Sequence, residues 1–78
     1  LSIYPVGTYV ALSNGAQGLV IETDSDKPKY PIVKLLLNEQ GAPFREQPIL
    51  HTEEGEGIQI LRPLIQKEIE TLTAAINK

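Results

Sequence analysis

Tyr4–Asp24, YPVGTYVALSNGAQGLVIETD, reads as a β-hairpin with glycines placed where a small barrel needs them. Asn14-Gly15 is the preferred central pair of a two-residue type I′ turn, in which both positions take φ > 0. Pairing outward from that turn sets Ser13 opposite Ala16, Leu12 opposite Gln17, Ala11 opposite Gly18 and Val10 opposite Leu19. Side chains alternate along a strand, so Val10, Leu12, Leu19 and Ile21 are predicted to share the core face. Tyr9, Ala11, Val20 and Glu22 then share the other face, and a one-residue slip would exchange the two. Gly18 inside a strand signals a bulge or a close backbone approach, which suits a bent, barrel-forming strand.

Beyond the hairpin, Asp24-Ser25-Asp26-Lys27-Pro28-Lys29 is a polar surface loop. Tyr30–Leu37, YPIVKLLL, predicts a third strand that is apolar on one face and partly so on the other, hence semi-buried. Asn38–Gly41 is a second turn. Phe44–Leu50 is a weaker strand whose Pro43 and Pro48 place it at an edge or make it irregular, because proline donates nothing to the ladder. After the acidic loop Thr52–Gly57, TEEGEG, a short fifth strand spans Ile58–Leu61. Short strands joined by tight turns fit an SH3-like small barrel better than a sandwich, and no intervening helical segment supports a ferredoxin-like fold.

The last segment changes period. Pro63 suits the first turn of a helix. Leu61, Ile65, Ile69, Leu72 and Ile76 recur at helical spacing, an apolar stripe from which Lys67, Glu68, Glu70 and Lys78 mostly fall away. From Leu64 to Asn77 such a helix is roughly 21 Å long, marginal in isolation, so its stripe must pack on something. The barrel is the expected partner; a second copy or the rest of a parent protein is the alternative, since this spacing also suits a two-helix seam. The expected organisation is therefore a barrel over 1–62 and a helix over 63–78, in one domain.

Composition narrows the function. A chain of 78 residues buries only about 60–65% of its unfolded surface, and without cysteine neither disulfides nor thiolate metal sites can help. No apolar run approaches the ~20 residues of a membrane span, and no signal-peptide pattern opens the chain, which points to a cytoplasmic protein with no membrane partner. The start at Leu1 and the lack of methionine suggest a piece of a longer protein. A net charge of −3, scattered basic residues and only four aromatic positions (Tyr4, Tyr9, Tyr30 and Phe44) argue against nucleic-acid binding, which needs a basic face and stacking platforms.

Candidate chemistry is sparse. His51 with Glu53, Glu54 and Glu56 is the one metal-like cluster, but a single His with no Cys matches no established spacing, and a solvated acidic loop explains it better. Glu22, Asp24 and Asp26 would need an apolar pocket to shift a pKa for acid–base work, and a barrel this small has little room for one. Ser13 and Ser25 have no neighbouring His in sequence. No lysine or helix N-terminus follows Gly15 and Gly18, so they read as turn and bulge positions and not as a phosphate loop. The expectation is no catalytic residue, no metal and no cofactor.

Two resemblances follow from these residues. Gly7, Val10, Gly15 and Gly18 resemble the RNA-binding KOW motif, a glycine-bounded strand in an SH3-like barrel, with Tyr9 and Ala11 where exposed contacts would lie; the basic residues of that motif are missing. More broadly, YPVGTYVALSNGAQGLVIE, KYPIVKLLLNEQGAP, Pro48-Ile49-Leu50 and GIQILRPL resemble, in order and spacing, the region that follows the catalytic domain of bacterial HD-GYP proteins. That likeness covers Tyr4–Leu61. It implies an accessory domain of a metal-dependent phosphodiesterase acting on cyclic di-GMP. The catalytic His-Asp ligands and the Gly-Tyr-Pro motif are not in this chain, and Tyr4-Pro5, followed by Val6, does not match the latter.

The fold expected is thus mainly β: a five-stranded SH3-like small barrel with a C-terminal α-helix. Its core is Val10, Leu12, Leu19, Ile21, Val33, Leu35, Ile58 and Ile60. Its expected contact surface is the helix face Ile65, Ile69, Leu72 and Ile76, directed at a parent catalytic domain or a second copy. A KOW-like nucleic-acid- or peptide-binding module is the competing reading.

Overall fold

A computed structural model describes residues 3–53, 55 and 57–77. It contains β1 (Tyr9–Leu12), β2 (Gln17–Glu22), β3 (Ile32–Leu37), β4 (Ile49–His51), β5 (Ile60–Pro63) and α1 (Gln66–Ile76). The strands form one antiparallel sheet in the order β4-β3-β2-β1-β5, followed in the chain by α1, consistent with an SH3-like small barrel.

The hairpin register differs from the expectation by one residue. Tyr9 pairs with Leu19, Val10 with Gly18 and Ala11 with Gln17. The cause lies in the turn. The Gly15 N–H donates to Leu12 O (3.0 Å) and the Leu12 N–H to Ala16 O (2.9 Å), which closes a loop of Ser13, Asn14 and Gly15. Gly15 has φ +92°, whereas Asn14 is not left-handed and its Oδ1 accepts the Ala16 N–H (2.9 Å). This is the longer hairpin loop, with its left-handed residue in a bulge position, instead of a type I′ turn.

The shift leaves Val10 and Leu12 inside and exchanges the faces of β2. Val20 is fully buried in the inner core with Val10, Leu12, Ala16, Val33 and Leu35, and Tyr4, Phe44, Leu50, Ile58 and Ile60 pack against it. Leu19 instead faces the outer layer, and Ile21 is exposed. Leu19 and Ile21 are therefore not inner-core residues. Gly18 makes this curvature possible: a Cβ there would lie 2.8 Å from Lys34 O and against Val33 Cγ1. Register shifts flank it at Gln17/Gly18 and Val20/Glu22. Such bulges bend a strand and raise its twist.

β3 explains its own near-continuous apolarity, because both of its faces are covered. Val33 and Leu35 point into the inner core while Leu36 and Leu37 join the outer cluster beneath α1. The strand begins at Ile32, after a turn in which the Tyr30 N–H donates to Lys27 O (3.0 Å). β4 is a three-residue edge strand, and Pro43 makes only an isolated bridge to Leu37, as two prolines in the segment require. The buried Thr52 is satisfied by donating to Pro31 O (2.7 Å).

The end of the sheet also departs from the expectation. Pro63 is the last residue of β5, paired with Val10, and not the first turn of the helix. β5 lies at the sheet edge, where a missing N–H costs nothing. The ladder continues past it, with the Leu64 N–H donating to Tyr9 O (2.8 Å) and Leu64 buried. The chain stays extended at Ile65 (φ −80°, ψ 164°), so α1 starts at Gln66 and spans 11 residues. It lies on the outer face of the sheet, meeting β3 most broadly.

Candidate interaction surface

α1 directs its stripe at the sheet. Leu72 is fully buried in a cluster with Leu36, Leu37 and Leu64, flanked by half-buried Ile69, Ala75 and Ile76. Ile65 is not part of that contact; it is the helix N-cap residue and is 62% exposed. Of the four residues expected to form one face, three turn toward the sheet and one turns away. Tyr9 and Ala11, which the KOW likeness placed at the surface, are half-buried against the same cluster. Their position follows from the register: as outward residues of β1 they lie on the face that α1 covers.

Ile65 is not alone outside. Leu61, in β5, is 63% exposed, and the residue after it, Arg62, forms an ion pair with Glu68. Arg62 Nη1 and Nη2 donate to Glu68 Oε1 and Oε2 at 2.7 and 2.8 Å, and the Ile65 N–H donates to the same Oε1 at 2.9 Å. The Arg62 hydrogen bonds, then the Ile65 N–H, draw the Glu68 carboxyl down to about 2. The same partner raises the Arg62 guanidinium. A bidentate fork of this kind fixes direction as well as charge. The signal was present in the sequence: a Glu three residues after the N-cap reaches back to the N-cap N–H, even where the cap side chain, here isoleucine, accepts nothing.

Beside this junction is a groove of about 430 Å³, lined by helix residues Lys67, Glu68, Thr71 and Ala75, by Ile65, and by Gln17, Leu37 and Gly41. Its floor is mainly apolar, and the Glu68 carboxylate is already engaged by Arg62. The arrangement can seat an apolar side chain of a partner; it presents no constellation for bond-making chemistry.

The other candidates are structural. Ser13 Oγ accepts the Gln59 N–H (2.9 Å), and the Ser13 N–H donates to Gln59 O (2.8 Å), so this serine ties the hairpin to the start of β5. Asp24 Oδ1 accepts the Asp26 N–H (2.9 Å) in an exposed turn, and Glu22 and Ser25 are exposed nearby. His51 ends β4, opposite Ile32, with Glu53 exposed beyond it. Glu54 and Glu56 lie outside the described residues. Among the described residues no group of three or more His, Cys, Asp or Glu side chains is placed to hold a metal ion. No helix among them is long and apolar enough to cross a membrane.

The sheet order and the helix across its outer face are those of a small β module consistent with the SH3-like barrel class. Comparison with protein families makes the class specific. The family described as a KOW domain associated with an HD domain matches residues 9–72, from the first residue of β1 to the buried leucine of α1, and the chain belongs to that family. No curated protein and no solved structure matches it.

Proposed function

We propose that this domain is the non-catalytic accessory module of an HD-GYP-type cyclic-di-GMP phosphodiesterase, a bacterial cytoplasmic protein, and that it acts through contacts with the catalytic domain. The family match over residues 9–72 carries this reading, since it ties the KOW-like barrel to an HD domain. The likeness of YPVGTYVALSNGAQGLVIE and GIQILRPL to the region following HD-GYP catalytic domains supports the finer assignment. The contact surface is the exposed Ile65 with the groove that it lines, together with the exposed Leu61 of β5, because Ile69, Leu72 and Ile76 pack toward the sheet.

The test is hydrolysis of cyclic di-GMP by the longest natural chain containing this domain, compared with Leu61→Asp/Ile65→Asp and with a deletion of the domain. The expected result is hydrolysis by the intact chain, and a changed rate or oligomeric state in both variants. If the intact chain leaves cyclic di-GMP uncleaved, the HD-GYP assignment fails. If both variants match the intact chain in rate and assembly, the contact role fails. The KOW relationship favours one further reading, a nucleic-acid-binding module. Titration with RNA at about 50 mM salt distinguishes it, because phosphate contacts strengthen as salt falls; with a net charge of −3, no binding is expected.

A further inference from the structure

The inner and outer apolar clusters have no buried side chain in common. The first joins all five strands; the second holds α1 on the opposite face through Leu36, Leu37, Leu64 and Leu72. Their attachments differ in kind. Every strand is tied to a neighbour by a backbone ladder. Among the described residues, the hydrogen bonds joining α1 to the sheet are those between Glu68 and Arg62. A helix of 11 residues is unstable by itself in water, so α1 depends on its seat. That seat centres on one fully buried side chain, Leu72. Only Leu64 and Ile65 connect β5 to α1; the Leu64 N–H is held by Tyr9 O, whereas Ile65 is exposed and extended.

We propose that α1 is a latch that leaves the sheet as a unit, pivoting at Ile65, while the barrel remains folded. Opening bares the outer apolar face of Tyr9, Ala11, Leu19, Leu36 and Leu37, and the Arg62–Glu68 pair is the clasp of the closed state. The device does not depend on which catalytic domain the module serves. It contrasts with one-step unfolding of helix and barrel together, the ordinary behaviour of a domain this small.

Native-state hydrogen exchange on the whole chain, followed by NMR in rising denaturant, separates the two. In the latch, amides of Glu70–Ala75 exchange at least about ten-fold faster than those of Val10, Val20 and Val33, with a weaker denaturant dependence. Glu68→Gln and Arg62→Met then speed helix exchange about two- to five-fold and leave the three valines unchanged. Leu72→Asp removes the helix signal while the valine methyls keep their native dispersion. The proposal is overturned if helix and strand amides share one exchange free energy and one slope. It is equally overturned if the clasp variants shift both sets together or neither, or if Leu72→Asp unfolds the barrel.

Discussion

The inner and outer faces of the same sheet are built to different standards. Inside, side chains from every strand converge around Val10, Leu12, Val20 and Val33, all essentially inaccessible to solvent, and each strand is tied to a neighbour by a hydrogen-bonded ladder. Outside, the helix adds one fully buried leucine to the buried Leu36, Leu37 and Leu64, its own Ile69, Ala75 and Ile76 staying half-buried, and is clasped at its N-terminal end by an exposed ion pair. The difference teaches that apolar patterning alone does not rank two faces. Ladders join all the strands that build the inner cluster, whereas side chains and one ion pair attach the helix that completes the outer one.

The largest test of that contrast is a pair of charge insertions at adjacent positions of β2. Val20→Asp places a carboxylate in the closed core, a change worth several kcal/mol, and should leave no cooperative thermal transition. Leu19→Asp, one residue away, should weaken helix docking while calorimetry still shows a barrel transition. Similar collapse in both would mean that the faces are not distinct in rank.

A smaller effect is expected at Gly18, where an added methyl meets the Lys34 carbonyl of a fixed ladder. Gly18→Ala should lower stability by about 1–3 kcal/mol in urea unfolding, the ordinary cost of overpacking. Unchanged stability would show that β2 and β3 are less closely apposed than described. The smallest effect belongs to the outer layer. The folded-state Glu68 carboxyl lies at about 2, below its ordinary value of 4.5. Its contribution is therefore complete above the unfolded value and is lost as pH falls from near 4.5 through about 2. Far-UV circular dichroism should show a small loss of helix in that window, and Glu68→Gln should lack this step.

The strand order of hydrophobic runs, the edge character of β4 and the helical period after the sheet were all legible, because each rests on periodicity or on proline chemistry. The hairpin register was not. Asn14-Gly15 satisfies both a two-residue and a three-residue loop, and the choice rests on one backbone angle and one Asn14 side-chain bond. The helix start was equally ambiguous, since Pro63 is acceptable at a first helical turn and at an edge strand. The Val10–Pro63 pairing, the Leu64–Tyr9 hydrogen bond and the extended backbone at Ile65 decide between them. At the contact surface, Ile65 was visible as an apolar residue, but its outward direction depended on where the helix began.

The hairpin register divides the side chains of β2 between the two faces. A methyl NOE spectrum of the whole chain tests it most directly. The expected result joins Leu19 to the helix-side cluster of Leu64 and Leu72, and Val20 to Leu12 and Val33. Contacts running the other way, Leu19 with Leu12 and Val20 with the helix, would contradict it.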